Sequence, residues 1–293
     1  MTRREATALI GATLIAPSAL AQTGELLTRA IPSSGERLPA VGLGTARVFD
    51  TADQTTLQKA TAVVQALVAN GGRLIDTASS YGEAEAVLGD VMASGGLRQR
   101  IFIATKLEEP DAAELKRSLT RLKTGNVDLL QLHNVDDPQQ SLAQFREWKA
   151  QGTCRYIGIT STFRRDYPAV EAVLRREKPD FVQIDYSLDN RGAERRVLPL
   201  AAEVGAGVLT AVPFGRARLF RTVRGKTLPD WAQPFAGSWA QFFLKFLLSD
   251  PRVTAVIPGT ADVAHMIDNL GAMRGPLPDA DQRRRMVAFV EAL

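Results

Sequence analysis

Four side chains with catalytic chemistry stand at or just beyond the ends of short apolar runs. Asp76 closes one run and Tyr81 follows five residues later, within DTASSYGEAEAVLG, whereas Lys106 and His133 close two later runs. A tyrosine has a pKa near about 10, so it is a poor acid at neutral pH unless a nearby positive charge stabilises its phenolate. Lys106 would supply that charge, and Asp76 would hold the ammonium by a charge-assisted hydrogen bond. With His133 orienting a carbonyl group and stabilising its oxygen, the set predicts a proton donor for carbonyl reduction.

Each of the four residues also has a purely structural interpretation. Asp76 would cap the turn that follows it, and Tyr81 would pack as an amphipathic residue. Lys106 would extend along a strand end, and His133 would be a hydrogen-bonded core histidine. Their occurrence together at matching strand ends favours one shared site.

Eight apolar runs alternate with amphipathic stretches of helical length, which predicts parallel strands buried on both faces. An open doubly wound sheet and a closed (β/α)8 barrel both fit this alternation. Eight units in a chain of 293 residues favour the α/β class TIM barrel as a single domain. A turn at residues 34–36 predicts a β-hairpin before the first strand. The predicted strands are 41–45, 74–78, 101–106, 128–133, 156–160, 181–186, 207–212 and 253–258.

Composition excludes several classes of site and partner. Cys154 is the only cysteine and there are two histidines, so neither an intrachain disulfide nor a cysteine or histidine metal cluster is expected. The net charge is +4, and the arginine pairs are scattered among acids, which favours solvated helix faces over a nucleic-acid surface. No later apolar run reaches about 20 residues, so no integral membrane span is expected.

The first 21 residues have the pattern of a secretory signal peptide. Arg3 and Arg4 form a basic head, residues 6–16 are apolar, and Ala19-Leu20-Ala21 is an A-x-A cleavage pattern. The paired arginines favour the twin-arginine route, which exports folded proteins. We therefore expect cleavage after Ala21, a mature barrel of residues 22–293, and a periplasmic location.

Seven motifs together resemble the successive signatures of the aldo-keto reductase family. They are GLGT at 42–45, DTASSYGEAEAVLG at 76–89, IATK at 103–106, VDLLQLH at 127–133, IGIT at 157–160, VQIDYS at 182–187 and VIPGT at 256–260. The resemblance covers residues 31–269 and implies a (β/α)8 barrel that binds a nicotinamide cofactor, usually NADPH, without a Rossmann domain. It implies that Tyr81 is the general acid, that Lys106 and Asp76 tune it, and that His133 orients the carbonyl.

The resemblance also implies a set of cofactor-binding residues, in which this chain departs from the family at several positions. Thr160-Ser161 stands where Ser-Asn is common after the fifth strand, and the seventh strand lacks the usual tyrosine. Gly259 and His265 stand where many members have a lysine and an arginine for the 2′-phosphate. NADPH is still favoured over NADH, and no metal is expected. The predicted cofactor-binding set, in which Arg216 and Arg218 are added as phosphate ligands after the seventh strand, is Gly44, Thr45, Asp76, Thr160, Ser161, Gln183, Phe214, Gly215, Arg216, Arg218, Gly259, Thr260, His265 and Asn269.

Three function classes follow from these observations. The leading hypothesis is an exported NAD(P)H-dependent enzyme that reduces a small aldehyde or ketone, with an unidentified redox partner or second substrate recycling the cofactor. An alternative is a non-catalytic nicotinamide-binding barrel that acts as a redox sensor or partner subunit. A phosphate-handling isomerase is weakly indicated by PFGRAR and PGT after the last two strands.

Overall fold

The computed structural model describes residues 25–293. The predicted signal peptide, residues 1–21, lies outside the described residues. The described chain begins with a hairpin of two antiparallel strands, β1 (Thr28–Ala30) and β2 (Arg37–Pro39). Its turn contains Gly35, whose φ of 76° lies in the left-handed region that glycine adopts without strain. The predicted hairpin is therefore confirmed.

Eight parallel strands follow the hairpin, and each pairs with the next along the chain. The last strand returns to the first, since Gly42 N donates to Val256 O at 2.9 Å and Gly44 N donates to Pro258 O at 3.0 Å. Gly44 permits this closure, because a Cβ there would lie 2.9 Å from Ile257 O. The predicted (β/α)8 barrel is confirmed, with strands β3 (Leu43–Gly44), β4 (Leu74–Asp76), β5 (Phe102–Leu107), β6 (Val127–Leu132), β7 (Cys154–Ser161), β8 (Phe181–Asp185), β9 (Gly207–Ala211) and β10 (Ala255–Val256).

Aromatic side chains fill the lower part of the barrel. Phe102 and Tyr156 stack with ring centroids 5.9 Å apart, and Phe181 contacts both rings edge-on at 6.3 and 5.7 Å. Ile31 and Leu38 from the hairpin are fully buried against this cluster. The hairpin therefore covers the amino-terminal end of the barrel.

Glu36 joins the hairpin to the barrel through hydrogen bonds. Its carboxylate accepts hydrogen bonds from Arg73 Nη2 at 2.5 Å, from Tyr156 Oη at 2.8 Å and from Arg155. Burial alone would raise the pKa of Glu36, but these three donors lower it from its ordinary value. The hairpin thus contacts the residue that precedes β4 and two residues of β7, which are far apart in the sequence.

Ten α-helices lie in the described part of the chain, and several begin at a side-chain cap. Asp111 and Asp279, for example, accept hydrogen bonds from backbone N–H groups of the first turn. The segment that follows Pro138 is not yet helical, because Asp137 Oδ1 accepts from Gln139 N at 2.8 Å and stabilises a turn. Within residues 25–293, no helix is both long and apolar enough to cross a bilayer. The helices are α1 (Gln54–Ala69), α2 (Ala84–Gly95), α3 (Ala112–Arg121), α4 (Ala143–Ala150), α5 (Tyr167–Glu177), α6 (Val197–Val204), α7 (Arg218–Thr222), α8 (Trp239–Leu248), α9 (Val263–Gly271) and α10 (Ala280–Glu291).

Candidate active site

A buried ion pair lies at the carboxyl ends of β4 and β5. Lys106 is fully buried and Asp76 is 3% exposed, and Lys106 Nζ donates to Asp76 Oδ2 at 2.7 Å and to Thr77 O at 2.6 Å. The parallel pairing of the two strands brings the side chains together. Burial alone would lower the pKa of Lys106, but the charges of Asp76 and Tyr81 raise it from its ordinary value. The buried Lys106 side chain is therefore charged at neutral pH.

Tyr81 lies beside this ammonium, on the loop between β4 and α2. Lys106 Nζ is 4.9 Å from the centroid of the Tyr81 ring. The loop is fixed by Ser79 N, which donates to Lys106 O at 3.0 Å. Gly82 closes the turn with a φ of 50° and lies so near Asp50 O that a Cβ would be 2.7 Å away. Burial raises the pKa of Tyr81 and Lys106 acts in the opposite direction, so the phenol is protonated at neutral pH.

His133 completes the group at the end of β6. Its backbone N donates to Leu107 O at 2.8 Å, and its ring lies edge-on to Tyr81 with centroids 5.7 Å apart. Its Nδ1 is 2.5 Å from Glu108 Oε1. Burial and the charge of Lys106 lower the pKa of His133, whereas Glu108 raises it, and the net direction is downward. The ring is therefore neutral at neutral pH. The structure brings together the four residues predicted as catalytic.

Two buried amides extend this network across the barrel. Gln131 Nε2 donates to Gln183 Oε1 at 3.0 Å and approaches Asp76 Oδ1 at 3.4 Å, while Gln183 Nε2 approaches Asp76 Oδ2 at 3.4 Å. Gly158 on β7 leaves room for the Gln131 side chain, since a Cβ would lie 3.0 Å from Gln131 Cγ. Gln183 was predicted as a cofactor residue, whereas Gln131 was missed.

A cavity of about 1210 Å³ opens above this network at the carboxyl ends of the strands. Tyr81 and His133 line it, while Lys106 lies beneath it. Its far end reaches the first turns of α9, where Asp262 caps the helix by accepting from His265 N at 3.0 Å. The predicted cofactor residues that line it are Gly44, Asp76, Gln183, Phe214, Arg216, Gly259, Thr260, His265 and Asn269.

Five predicted cofactor residues do not line the cavity. Thr45 Oγ1 donates to Asp76 O at 3.1 Å, and Ser161 Oγ donates to Asp166 Oδ2 at 2.8 Å. Arg218 Nε donates to Asp189 Oδ2 at 2.5 Å, outside the cavity. These polar groups therefore form hydrogen bonds within the protein. The remaining two are Thr160, whose hydroxyl accepts a backbone hydrogen bond, and Gly215, which packs on the same aspartate as Arg218.

Asn134 lines the cavity and was missed by sequence reasoning. It adopts a φ of 52°, and its backbone N donates to Thr160 Oγ1 at 2.9 Å. The side-chain Oδ1 is buried and has no hydrogen-bond partner among the described residues. A buried acceptor of this kind requires a donor to avoid an energetic cost of about 1–3 kcal/mol. Asn134 is therefore a candidate ligand-binding residue, next to His133 in the sequence and in the same cavity as Gln183.

The cavity residues fit a nicotinamide dinucleotide. The volume of the cavity exceeds the range of roughly 300–1,000 Å³ that is usual for pockets that bind small ligands. The free Asn134 Oδ1 and the Gln183 amide match a carboxamide group, which has both donors and an acceptor. Arg216 and the amino-terminal turn of α9 supply positive charge for phosphates.

Sequence comparisons place the chain among known oxidoreductases. A model of the aldo/keto reductase family matches residues 40–286. Methylglyoxal reductase YeaE of Escherichia coli (strain K12) is 29% identical over 256 residues, covering 83% of this chain and 88% of that protein. Uncharacterized oxidoreductase YrpG of Bacillus subtilis (strain 168) is 27% identical over 295 residues, covering 82% of this chain and 89% of that protein.

Solved structures are similar over most of the chain. An aldo/keto reductase from Klebsiella pneumoniae in complex with NADP and acetate has a TM-score of 0.75 and 25% identity, covering 87% of this chain and 93% of that one. An aldo-keto reductase from Klebsiella pneumoniae in complex with NADPH has a TM-score of 0.77 and 24% identity, covering 90% and 96%. The comparisons give no support to a non-catalytic barrel. The chain belongs to the aldo/keto reductase family and is an NAD(P)H-dependent oxidoreductase that reduces carbonyl groups.

Proposed function

We propose that this protein is an NADPH-dependent reductase of small aldehydes or ketones in which Tyr81 delivers the proton. The observation that carries the proposal is the buried Lys106–Asp76 pair, with an Nζ–Oδ2 distance of 2.7 Å, placed beneath a tyrosine that lines the cavity. Burying an ion pair costs desolvation free energy. A functional reason for the pair is that it keeps the positive charge of Lys106 beside Tyr81, which is a weak acid.

Proton delivery uses the chain's own residues. Tyr81 donates its hydroxyl proton to the carbonyl oxygen, and the resulting phenolate is stabilised by the fixed charge of Lys106. Asp76 keeps the ammonium in place by accepting one of its hydrogen bonds. His133, with its ring edge-on to Tyr81, contacts the substrate oxygen.

The cofactor, when bound, supplies the hydride. Gln183 and Asn134 would hold its carboxamide, and Arg216 its phosphates. His265 and Asn269 would contact the adenosine end. Preference for NADPH is supported by Arg216 and by His265, whose ring N–H can donate a hydrogen bond to a 2′-phosphate. The similar Klebsiella pneumoniae protein was solved with NADP.

The lining of the cavity supports a small, partly apolar carbonyl substrate. Phe214 and Phe220 lie with ring centroids 4.8 Å apart on the cavity wall, and Trp239 stacks on Phe243 at 5.8 Å nearby. The relative from Escherichia coli is named a methylglyoxal reductase, which is also consistent with a small carbonyl compound. Small 2-oxoaldehydes are therefore the first compounds to test.

The test replaces the proposed acid. Tyr81→Phe removes the donated proton, so kcat/KM should fall by about 10²–10⁴-fold. The Kd for NADPH should stay within about twofold, because the ring and its packing remain. Both are measured on residues 22–293, with a panel of aldehydes and ketones and with NADPH and NADH in parallel.

Tyr167→Phe is the matched control. Its hydroxyl makes only a 3.4 Å contact with Asp185 O and does not line the cavity, so activity should not change. Undiminished turnover by Tyr81→Phe would refute the assigned role. Absence of reduction with every carbonyl compound and both cofactors would refute the proposed function.

Export is part of the same proposal and is supported by the sequence of residues 1–21. The protein would be carried to the periplasm by the twin-arginine route with its cofactor bound. A second substrate or a redox partner would then recycle the cofactor. Cell fractionation and amino-terminal sequencing test this, and a cytoplasmic protein that retains Met1 would contradict it.

A further inference from the structure

Glu108 forms a carboxylate–imidazole pair with His133 at the edge of the active site. Glu108 Oε1 is 2.5 Å from His133 Nδ1, and the two side chains are 46% and 10% exposed. Glu108 does not itself line the cavity. Its hydrogen bond to the catalytic group is the one it forms with His133.

The loop that carries Glu108 is held by a second glutamate. Glu114 Oε1 accepts from Glu108 N at 3.1 Å, and Glu114 Oε2 accepts from Glu109 N at 3.3 Å. Ser79 Oγ also donates to Glu114 Oε1, at 2.5 Å, which joins this loop to the loop of Tyr81. The backbone of the loop that carries Glu108 is thus fixed relative to the catalytic residues.

An ionised carboxylate can only accept a hydrogen bond, so it selects one form of its imidazole partner. Burial alone would raise the pKa of Glu108, but Ser80 and His133 lower it, and the carboxylate is ionised at neutral pH. The neutral ring must then carry its proton on Nδ1. Its Nε2, which has no hydrogen bond within the described residues, is left with a lone pair.

We propose that Glu108 is a positioning residue that holds neutral His133 as the Nδ1–H tautomer, so that His133 donates a hydrogen bond to a carbonyl oxygen only after it takes up a second proton. The catalytic consequence of this proposal rests on the proposed function. In the imidazolium both nitrogens carry protons, so Nδ1–H stays on Glu108 while Nε2–H binds the substrate oxygen. The neutral ring instead accepts a hydrogen bond, as an alcohol would offer. His133 makes and breaks no covalent bond to the substrate in either direction.

The groups around His133 decide at which pH the second proton is taken up. The charged groups that face it are Lys106, Asp76 and Glu108, and the titratable group is Tyr81. Burial and Lys106 together outweigh the two carboxylates and lower the pKa of His133. Tyr81 is not the source of a change near neutral pH, because its own pKa is raised. Carbonyl reduction should therefore become faster as the pH falls through the titration of His133.

The tautomer can be measured without turnover, by ¹⁵N NMR of the protein labelled at its two histidines. The variant His133→Asn assigns the His133 signals. In the wild-type protein at alkaline pH, Nδ1 should have the shift of a protonated nitrogen and Nε2 that of an unprotonated one. In Glu108→Gln the amide can donate as well as accept, so the Nε2–H tautomer should gain population. The titration midpoint should also fall by about 1 pH unit, since one nearby negative charge is lost.

Glu109→Gln is the matched control, because its side chain forms no hydrogen bond within the described residues and the same charge is removed one position away. It should leave the tautomer and the midpoint unchanged. An Nε2–H tautomer in the wild-type protein would overturn the proposal. So would a Glu108→Gln variant that keeps the wild-type tautomer and midpoint, or a Glu109→Gln variant that shifts as much as Glu108→Gln.

The pH profile of kcat/KM tests the catalytic consequence. For carbonyl reduction by the wild-type enzyme, kcat/KM should rise as pH falls below about 6.5, the ordinary pKa of histidine, because the pKa of His133 is lowered. Glu108→Gln should move this rise to lower pH by the shift that NMR measures. An unmoved profile would overturn the catalytic part. If the Nδ1–H tautomer is found but no carbonyl compound is reduced, the proposed function fails and the tautomer assignment stands.

Discussion

Replacing Asp76 by asparagine removes the charge that compensates a fully buried lysine. Lys106 would retain Thr77 O at 2.6 Å and a neutral amide oxygen in place of the carboxylate at 2.7 Å. Breaking a buried pair by removing one charge typically costs about 3–5 kcal/mol. Because asparagine keeps a hydrogen-bond acceptor, we expect the lower end, about 3 kcal/mol in the free energy of unfolding.

The same substitution should create a pH dependence that the wild-type protein lacks near neutral pH. In the wild-type protein the pKa of Lys106 is raised, so the stability it confers is complete below the unfolded-state value and is lost only as pH rises through the folded-state value. Without Asp76, burial is the dominant effect and lowers the pKa of Lys106. The unfolded chain then binds a proton that the folded chain releases, and stability falls as pH decreases from about 10.

Urea unfolding followed by the fluorescence of the three tryptophans measures both effects. Asp50→Asn is the matched control, because Asp50 also lines the cavity but is exposed and has no buried cation as partner. Its change should stay within about 0.5 kcal/mol. If Asp76→Asn changes the free energy of unfolding at neutral pH no more than Asp50→Asn does, the ion pair does not hold the ammonium in place and the reasoning is refuted.

Two further predictions concern the barrel itself. Gly44→Ala places a Cβ 2.9 Å from Ile257 O and should lower the free energy of unfolding by about 1–3 kcal/mol, measured as a lower Tm. Gly125→Ala is the control, because a Cβ there has nothing within 4 Å and should leave the Tm unchanged. Equal Tm values for the two variants would contradict the role of Gly44 in closure. Cys154 is 2% exposed, and burial raises the pKa of its thiol to about 12. Iodoacetamide at neutral pH should therefore modify this thiol only after the protein unfolds, which mass spectrometry would detect. Rapid labelling of the folded protein would contradict this burial.

The catalytic group could be predicted from sequence because a barrel turns strand order into spatial proximity. Asp76, Lys106 and His133 are separated by about thirty positions each, yet each stands at the end of a strand, and adjacent parallel strands bring those ends together. The eight strands were found because their apolar runs are buried on both faces. Their boundaries differ from the predicted ones by a few residues, most clearly at β10, which spans only Ala255–Val256.

The missed residues depend on facts that local sequence does not contain. Gln131 could have been found, since it shares the inward face of β6 with Leu129 and His133 by the two-residue period of a strand. Asn134 could not, because its position in the cavity depends on a φ of 52° that few non-glycine residues adopt. Glu108 lies just past a strand end, but its partner is 25 positions away, and only the folded loops show the contact.

The hairpin that covers the amino-terminal end of the barrel also imposes an order on folding. Glu36 is synthesised early, yet one of its partners, Arg155, follows 119 positions later. The ribosome must therefore release more than half of the barrel before the first hairpin of the described chain can complete its contacts. Contacts of such long sequence separation form slowly, because loop-closure entropy is lost before they stabilise the chain. We expect truncated chains that end before β7 to leave Ile31 and Leu38 without Tyr156 and Phe181, and so to be recognised by chaperones or proteases as incompletely folded.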